Sequence, residues 1–569
     1  MTSRLRPLKR RDISAHALDS LDPVIANVLA ARGVSTLDAL ATDLSRLAPV
    51  SGLLGIDDAV ALLSTHRDGH VLIVGDFDAD GATSTALMWR CLKRLGFRSV
   101  ASLVPNRFDF GYGLSAPLVE VALREQPTLI VTVDNGISSV AGVAEARAAG
   151  VDVLVTDHHL PPATMPAANV IVNPNLPDDT YPSKHLAGVG VAFCIMAALA
   201  RALSKGDPEI SRMPAEYLDL VALGTVADVV PLDQNNRILV AAGLARIRAG
   251  QCVPGITALL EVAGRDCRRI VATDLGFAAG PRLNAAGRLD DMAVGIRCLM
   301  AEDAGTARKL AGTLDKINKD RREIESEMQA EADNIVRALD DDDETSLPSC
   351  LCLYEPHWHQ GVVGLVASRV KERTGRPTFA FAAESDGLIK GSGRSVNGVH
   401  LRDLLAAIDQ QMPGAIAKFG GHAMAAGLTM QVTAFDAFAR NANDALALLF
   451  PDADFNPALL TDGALSAAHW TIEFAQQLKM LVPWGQRFPE PIFDGIFTVR
   501  GVRVVGEDHL KLTVASDSMA IDAIAFRQVR EPLPVPGEQV ELCYRLDVNH
   551  WQGRTSLQLL VEQWRVVSS

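Results

Sequence analysis

The chain has 569 residues, of which 48% are hydrophobic and 21% are charged, and its formal net charge is -14. This length predicts roughly three to four domains, and the composition is that of an ordinary globular protein with apolar material for several cores. The negative charge excludes bulk attraction of polyanions, so any site for them must be a local basic groove or must use bound cations.

The cysteines and the apolar runs indicate a protein of the cytoplasm. Eight cysteines are scattered along the chain without a C-x-x-C pair, so a zinc ribbon is unsupported and reduced thiols are expected. No apolar stretch of a secretory signal follows the basic N-terminus. The longest apolar run, about 187–200, is too short to span a bilayer and predicts a buried helix. We therefore expect no association with a membrane.

The first half of the chain alternates between predicted strands and helices. Residues 1 to about 50 are polar, and we expect a helical lead-in there. From residue 70, short apolar runs that end in polar residues are separated by helical stretches, which predicts a parallel sheet with helices on both faces. The predicted strands are 71–74, 129–133 and 151–156, and the helices between them are 82–95 and 139–149.

The second half predicts a long helix, another α/β region and a barrel. Apolar residues recur at steps of three, four or seven over 302–340, so this charged stretch is interpreted as one long connecting helix. Beyond about 460, five short strand candidates with turn signals between them predict a small barrel such as an OB-fold. The fold class expected is α/β with a C-terminal β-barrel. The expected domains are 1–50, 51–300, 301–345, 346–455 and 456–569.

Asp76-Phe77-Asp78-Ala79-Asp80-Gly81 places three carboxylates within five residues. The segment resembles the first half of an EF-hand loop, which needs a glutamate at its twelfth position. Leu87 occupies that position here, and a predicted strand comes before the loop where an EF-hand has a helix. An EF-hand calcium site is therefore excluded.

Further acidic and histidine residues follow the other apolar segments. Asp134 ends the second predicted strand, Asp157-His158-His159 end the third, and Asp228 ends the apolar segment 224–228. A single aspartate after a strand is usually a turn residue or a helix cap, but four such pieces in order are hard to explain by turns. Because ligands bind beyond the carboxyl ends of parallel strands, we expect these side chains to meet at one edge of the sheet.

A cluster of this kind predicts a metal centre. Carboxylates that lie together repel each other and need cations for stability. Carboxylate and imidazole ligands suit Mn²⁺, Mg²⁺ or Fe²⁺, and two such ions can clamp a phosphodiester.

The motifs resemble those of a known family. Asp76-x-Asp78-x-Asp80-Gly81, Asp134-Asn135-Gly136, Asp157-His158-His159 and Asp228 resemble the four successive motifs of the DHH phosphoesterases. Further segments are similar to the RecJ branch of that family, including the accessory DHHA1 domain and the OB-fold, and the resemblance runs from about residue 50 to the C-terminus. These segments are 105–108 with 111–114, 281–288, 391–395, 419–422 and the C-terminal strands with 509–512 and 557–559.

The resemblance implies a single-stranded-DNA-specific exonuclease that works 5′→3′ by a two-metal mechanism in DNA repair and recombination. The implied cofactor is Mn²⁺ or Mg²⁺, as two ions. Asp76 and His159 would line the centre as ligand, phosphate contact or proton carrier, and the residues alone do not separate these catalytic roles. Asp134 would bridge the two ions, Asp80, His158 and Asp228 would complete one site, and Asp78 would complete the other.

The resemblance also implies a set of residues that bind DNA. Arg107, Ser392 and Arg394 would hold the terminal 5′ phosphate, since guanidinium groups bind phosphate in a bidentate manner and a glycine-rich loop lets backbone N–H groups approach it. Arg282 and Arg288 would either follow the strand backbone or brace the two halves of the protein. His422 would contact the substrate, although tight turns alone would explain the two glycines before it.

An aromatic loop and the expected partners complete the sequence predictions. Phe108, Phe110 and Tyr112 would either stack on the bases of a single strand or pack in the core. The partners expected are single-stranded DNA together with a helicase and a single-strand-binding protein, and the chain is expected to be a monomer. Since Arg107 and Arg394 lie on opposite sides of the long helix, we expect the two α/β regions to face each other across a narrow cleft.

Two alternatives share much of this pattern. A DHH enzyme for small substrates would have the same metal site but would lack the long helix and the barrel. A replisome scaffold protein similar to RecJ would lack metal ligands, whereas every ligand position is filled here.

Overall fold

A computed structural model of the chain describes residues 5–106, 110–340, 347–506, 508–516, 519–551 and 553–567. The chain divides into two compact units. The large unit contains 13–318 and 473–491, and the small unit contains 1–12, 319–472 and 492–569.

The elements in chain order are as follows. The strands are β1 Leu8–Arg10, β2 His70–Gly75, β3 Ser99–Leu103, β4 Leu129–Val133, β5 Asp152–Thr156, β6 Val170–Val172, β7 Leu351–Tyr354, β8 Thr378–Ala383, β9 Leu388–Arg394, β10 Ile416–Gly421, β11 Ala425–Gln431, β12 Leu459–Thr461, β13 Phe493–Val505, β14 His509–Ser516, β15 Met519–Ala525, β16 Gln539–Trp551 and β17 Arg554–Val566. The α-helices are α1 Pro23–Ala30, α2 Ile56–Thr65, α3 Ala79–Arg94, α4 Ala116–Arg124, α5 Val140–Ala148, α6 Gly188–Leu203, α7 Pro208–Arg212, α8 Leu218–Ala227, α9 Gln234–Arg248, α10 Pro254–Val262, α11 Ala272–Asp274, α12 Gly280–Leu289, α13 Ala293–Met300, α14 Ala304–Asp340, α15 Val363–Thr374, α16 Leu401–Gln411, α17 Phe435–Leu449 and α18 Ile472–Leu481.

The large unit is built on the parallel sheet that the sequence predicts. Its strand order is β3-β2-β4-β5-β6, and every neighbouring pair is parallel. Gly75 pairs with Val133 and Val133 pairs with Thr156, so β2, β4 and β5 end at one level. The chain reverses its direction of winding between β2 and β4, which is where open α/β sheets bind their ligands.

The apolar run near residue 190 is a buried helix, as predicted. Helix α6 buries Val189, Val191 and Ile195 completely. Within the described residues, no single helix combines the length and the apolar character of a membrane span; one sharply bent pair, Leu44–Gly52 with Ile56–Thr65, satisfies both criteria only when the two segments are taken together.

The N-terminal segment differs from the helical lead-in that the sequence predicts. From residue 5, where the described structure begins, to residue 50, the elements are strand β1, helix α1 and short 3₁₀ turns. Strand β1 pairs in parallel with β12, where Leu8 faces Leu459. The segment is therefore helical only in part. Residues 8–10 form a strand because their backbone groups bond to β12, hundreds of positions away, which no local pattern records.

The long helix is confirmed, as α14 over Ala304–Asp340. Leu314, Ile317 and Met328 on its apolar stripe are buried. The division between the two units falls inside this helix, after residue 318. Most of the acidic run that was expected to end the helix lies outside the described residues.

The small unit contains a mixed sheet with the order β10-β11-β9-β8-β7, in which only β7 and β8 are parallel neighbours. The segment Gly391-Ser392-Gly393-Arg394, expected as a glycine-rich loop, lies in strand β9. A Cβ atom on Gly391 would lie 2.4 Å from the ring of Phe381, and one on Gly393 would lie 2.4 Å from the ring of Phe379. The loop expectation is therefore wrong: these glycines make room for core aromatic rings, and Ser392 and Arg394 point to the opposite face.

The C-terminal barrel is confirmed. Strands β13 to β17 close into a barrel in the order β13-β14-β15-β17-β16. Three of them are 13 residues long, which is longer than predicted, because alternate polar residues face solvent and interrupt the apolar pattern. Phe497, Tyr544 and Trp470 pack together beside its core.

Residues 473–491 return to the large unit before the barrel begins. The backbone N–H of Leu232 donates to Gln486 at 2.9 Å. The Arg237 guanidinium lies 4.4 Å from the centre of the Phe488 ring. A deletion that starts near residue 460 would therefore remove part of the large unit.

Candidate metal centre

The loop after β2 positions Asp78 and Asp80 by capping two helices. Asp78 is the N-cap of α3, and its Oδ1 accepts hydrogen bonds from the N–H groups of Asp80 and Gly81, both at 3.0 Å. Asp80 is fully buried and accepts from the first two N–H groups of α6, those of Gly188 at 2.6 Å and Val189 at 2.9 Å. The positive end of the α6 dipole thus helps to hold the Asp80 carboxylate in the interior.

Asp134 directly follows β4 and is buried, with a φ angle of 62°. This left-handed conformation is uncommon outside glycine, although aspartate tolerates it. The side-chain amide of Asn135 donates to the carbonyls of Val74 at 3.0 Å and Val133 at 2.9 Å, which ties the ends of β2 and β4 together. Gly136 has a φ of 112°, and a Cβ there would lie 2.3 Å from a side-chain oxygen of the sheet.

His158 faces three carboxylates. Its Nε2 lies 3.1 Å from Asp134 Oδ1, 3.6 Å from Asp228 Oδ2 and 4.0 Å from Asp80 Oδ2. Within the described part of the chain, neither His158 Nε2 nor Asp134 Oδ1 has a hydrogen-bond partner, although both atoms are buried. A ring nitrogen and carboxylate oxygens that point at one another without hydrogen bonds fit the first coordination sphere of a cation.

Asp228 reaches the cluster from the C-terminus of α8, not from a strand. Gly224, one turn earlier, lets α8 approach closely, since a Cβ there would lie 2.8 Å from Asp80 Oδ1. The C-terminus of a helix is its negative end, so a carboxylate there is unfavourable without a cation.

Asp157 holds the two histidines rather than joining the cluster. Its Oδ1 accepts from the N–H groups of His158 at 2.7 Å and His159 at 3.1 Å and contacts His159 Nδ1 at 2.7 Å. Burial raises the pKa of Asp157, but the hydrogen bonds that it accepts and the charges of the two histidines together outweigh burial, so the pKa lies below its ordinary value. Burial lowers the pKa of His159, but Asp157 raises it to about 9, so His159 is charged at neutral pH when no metal is bound. Sequence reasoning assigned Asp157 no role beyond its place in the motif.

The structure brings all seven predicted metal-site and catalytic residues together. Burial, and then repulsion from neighbouring carboxylates, raises the pKa values of Asp80 and Asp134 well above their ordinary range, and burial raises that of Asp228. The donor set therefore fits divalent cations. Among the described residues, three groups have ligand atoms within 4.8 Å of one another: Asp80, His158 and Asp228; Asp76, Asp78 and Asp134; and Asp134, His158 and His159.

The stability of the metal-free protein should fall as the pH rises. A carboxyl whose pKa is raised in the folded state stabilises the fold below its unfolded pKa of about 3.9, and that stability is lost as the pH rises through the folded pKa. At one fixed Mn²⁺ concentration, Mn²⁺ should therefore raise the melting temperature more at pH 8 than at pH 5, because the metal binds more tightly where the carboxylates are charged. A concentration of 100 times the dissociation constant adds about 2.7 kcal/mol of stability. Calorimetry with chelator and with Mn²⁺, on wild type and Asp80→Asn, measures this. An equal metal-induced shift at both pH values would contradict the cluster.

The aromatic loop is only partly described, because Arg107 and Phe108 lie outside the described residues. Phe110 is half-buried and packs against the core beside the sheet. The Tyr112 hydroxyl donates to the Asp134 carbonyl at 3.3 Å and lies 3.3 Å from His159 Nδ1. Tyr112 thus borders the metal cluster, whereas Phe110 serves the core.

The segment 281–288 forms helix α12 beside the loop after β2. Arg282 is buried and donates to Asp315 through Nε at 2.9 Å and to the Ala278 carbonyl at 2.7 Å, and both partners belong to the large unit. Arg288 is half-buried in the last turn of the helix. Asn284 Oδ1 accepts from the N–H of Ala79 at 2.7 Å, a role that the motif contained but the sequence did not reveal.

Ser392 and Arg394 lie together in the small unit. Arg394 Nη1 donates to Ser392 Oγ at 2.9 Å. A Cβ on Gly364, in the first turn of α15, would lie 2.8 Å from Arg394 Nη2 and 2.9 Å from Ser392 Oγ. The helix N-terminus, the hydroxyl and the guanidinium therefore converge as they do at anion sites. The pair of glycines in 361–364 was the signal that the sequence analysis overlooked.

His422 lies in the turn between β10 and β11, where its N–H donates to the Ala425 carbonyl at 2.8 Å. Ala425 is the register partner of Arg394 on β9, so His422 and Arg394 belong to the same end of this sheet. Gly421 before it has a φ of 142°, which explains that glycine by backbone conformation alone.

The fold and the cluster define a metal-dependent phosphoesterase of the DHH class. The model of the DHH family, N-terminal domain, matches residues 70–225, and the model of the DHHA1 domain matches 347–448. The model of the RecJ OB domain matches 461–563.

Full-length relatives narrow this class. The chain is 50% identical to the single-stranded-DNA-specific exonuclease RecJ of Salmonella typhimurium over 98% of both chains, and 49% identical to that of Escherichia coli over the same shares. A crystal structure of RecJ in complex with Mn²⁺ from Thermus thermophilus superimposes with a TM-score of 0.81 at 31% identity, over 99% of this chain and 80% of that chain. A structure of the same protein with Mg²⁺ gives a TM-score of 0.75 at 29% identity, over 99% and 79%. The chain belongs to the RecJ family.

Proposed function

We propose that this chain is an exonuclease specific for single-stranded DNA, which hydrolyses phosphodiester bonds in the 5′→3′ direction with Mn²⁺ or Mg²⁺. The observation that carries the proposal is the cluster at the carboxyl edge of the sheet, where His158 Nε2 and Asp134 Oδ1 lie 3.1 Å apart and lack hydrogen-bond partners among the described residues. The relatives at about half identity bear the name of this activity. We place the enzyme in DNA repair and recombination.

The proposed ligands are the five residues that the family resemblance implies. Bound cations would neutralise the carboxylates, activate the attacking water and stabilise charge on the phosphoryl oxygens. Asp134 belongs to two of the three groups of ligand atoms, which supports a bridging position. Asp80, His158 and Asp228 would complete one site and Asp78 would complete the other, with Asp76 beside it.

His159 is proposed as a phosphate contact. Asp157 fixes its ring through Nδ1 at 2.7 Å. In its protonated form, an imidazole held in this way donates a hydrogen bond to a phosphoryl oxygen as negative charge develops on it. Tyr112, whose hydroxyl lies beside the same ring, would limit its rotation.

End recognition is proposed for the group around Arg394. Ser392, the guanidinium of Arg394 and the first turn of α15 supply donors of the kind that bind phosphate. A terminal phosphate carries more negative charge than an internal one, so such a group can distinguish the end of a strand. Arg107 and His422 are proposed to assist, and the narrow cleft between the two α/β regions remains a prediction.

The cellular setting is also part of the proposal. We propose that the enzyme is a cytoplasmic monomer. Because the activity requires unpaired strands, a helicase that separates duplexes and a single-strand-binding protein are its proposed partners. The full-length relatives and the RecJ OB domain favour this function over that of a DHH enzyme for small substrates.

Digestion of one oligonucleotide tests the proposal. The strand is labelled at either end, is offered single or annealed to its complement, and is incubated with Mn²⁺, Mg²⁺ or chelator. We expect the 5′ label to leave first as a mononucleotide, only from the single strand and only with metal. Shortening from the 3′ end, or equal degradation of the duplex, would contradict it.

The barrel should contribute affinity for long strands. Removal of 492–569 keeps 473–491 in the large unit and should weaken binding to long single strands, while hydrolysis of very short ones continues. The slope of log affinity against log salt should decrease by about 0.7 for each phosphate that the shortened chain no longer binds. Fluorescence anisotropy at several salt concentrations measures both, with hydrolysis of a very short strand as the control. If the full-length protein and the shortened protein bound a long strand with equal affinity, the barrel would not contribute to DNA binding.

A further inference from the structure

Three exposed apolar side chains lie in segments of the large unit that adjoin the metal cluster. Leu160, which directly follows His159, is 64% exposed, and Val229, which directly follows Asp228, is 61% exposed. Phe277 is 74% exposed and lies in the π-helical turn Leu275–Ala279. Large apolar groups kept in water beside a polar centre mark a contact surface. We call Leu160, Val229 and Phe277 the apolar rim.

The turn that carries Phe277 rests on the end of α8. A Cβ on Gly276 would lie 3.2 Å from Val226 Cγ1, and a Cβ on Gly280 would lie 3.1 Å from the Cβ of Ala227. Val226 and Ala227 are the two residues immediately before Asp228. The two glycines therefore let this turn lie directly against the segment that delivers a proposed metal ligand.

Proline and arginine account for the irregular turn. Pro281 has no N–H, so the carbonyl of Phe277 loses the donor that an α-helix would supply four residues later, and the proline ring would clash with that carbonyl. The carbonyl of Ala278 accepts from the buried Arg282 guanidinium at 2.7 Å. The helix widens into a π-turn, a feature that is frequent at functional sites.

Val229 supplies an independent observation. Its φ angle is 63°, in the left-handed region that a β-branched residue rarely adopts. Such strain persists only where the surroundings impose it, and it concentrates at functional sites. Here the strained residue follows Asp228 and leaves its apolar side chain in solvent.

We propose that the apolar rim, with Phe277 as its aromatic platform, binds the face of a nucleobase next to the phosphodiester at the metal cluster. This rests on the proposed function and deepens it. Every base has an aromatic face, so stacking adds affinity without a sequence preference. A base inside a duplex has both faces covered by its neighbours, so the platform accepts only an unstacked base and contributes to the preference for single strands.

The test combines variants of the platform with strands that lack one base. Phe277→Ala and Phe277→Trp are compared with wild type and with Leu448→Ala, a change at a 76% exposed residue of α17. The substrates are a 5′-phosphorylated strand and four versions with an abasic site at one of the first four positions. Melting temperatures are recorded for all variants, and they should be unchanged because the ring is exposed.

On the intact strand, Phe277→Ala should lower kcat/KM roughly 5- to 150-fold, whereas Phe277→Trp and Leu448→Ala should leave it near the wild-type value. On the strand whose abasic site lies at the stacking position, the kcat/KM of the wild type should fall to that of Phe277→Ala. The two proteins should then no longer differ on that strand. If Phe277→Ala lowered kcat/KM equally on all five strands, or on none of them, the proposal that Phe277 stacks on a base would be wrong. Failure of the wild type to degrade the intact strand would instead contradict the proposed exonuclease function.

Discussion

Replacement of Asp134 by alanine should abolish nuclease activity while the protein stays folded. Asp134 Oδ1 lies 3.1 Å from His158 Nε2, and Asp134 belongs to two of the three groups of possible ligand atoms. A carboxylate shared by two cations contributes several kcal/mol to the transition state, so turnover should fall by about a thousandfold or more. The measurement is the release of nucleotides from a labelled single strand over a range of Mn²⁺ concentrations.

The same substitution should make the metal-free protein more stable. The pKa of Asp134 is raised by burial and by the neighbouring carboxylates, so its charged form destabilises the fold as the pH rises. Asp58→Ala, at an exposed position in the first turn of α2, is the matched control and should leave activity unchanged. Near-normal turnover of Asp134→Ala in Mn²⁺ would show that the carboxylate is not shared between ions.

Replacement of Arg394 by alanine should slow the degradation of 5′-phosphorylated strands about 10- to 100-fold. The loss of a charge-assisted hydrogen-bonded pair costs roughly 1.5–3 kcal/mol. Strands with a 5′ hydroxyl should be affected less, because they lack the doubly charged group. Metal binding should be unchanged, since the arginine lies in strand β9 of the small unit. Initial rates on 5′-phosphate, 5′-hydroxyl and 3′-blocked strands measure the effect.

Gly364→Ala provides a second way to disturb the same group. The added Cβ would lie 2.8 Å from Arg394 Nη2 and 2.9 Å from Ser392 Oγ, so both side chains must shift. It should reduce the preference for a 5′ phosphate without removing a charge. Arg402→Ala, at an exposed position of α16, is the control for loss of positive charge. If Arg394→Ala lowered the initial rate by the same factor on 5′-phosphate, 5′-hydroxyl and 3′-blocked strands, Arg394 and Ser392 would not recognise the end of the strand.

Local sequence patterns were sufficient for the elements that carry the site. The apolar runs that become β2, β4 and β5 each end in acidic residues, and parallel strands bring their carboxyl ends to one edge. The period of apolar residues predicted α14 almost to its ends. These predictions held because they depend on neighbours within a few positions, where backbone geometry repeats regularly.

Other features followed from contacts between distant parts of the chain. The glycines of β9 were expected to face phosphate, but the rings of Phe379 and Phe381 require them. The guanidinium of Arg282 is bound by Asp315, a residue 33 positions further along the chain. Which partner a side chain contacts depends on how helices and strands pack against each other. A short stretch of sequence does not show this, because the partner lies far away in the chain.

The sequence by itself determined the order of the motifs, the parallel sheet and the kind of ligand atoms at its edge. Only the tertiary structure decided how those atoms group, since His158 Nε2 approaches Asp134, Asp228 and Asp80 from elements that lie far apart in the chain. It also decided that β1 pairs with β12, that 473–491 returns to the large unit, and that Phe277 stays in solvent. The physical reason is the same in each case: hydrogen bonding and burial select partners by proximity in space, whereas periodicity records only the local conformation of the backbone.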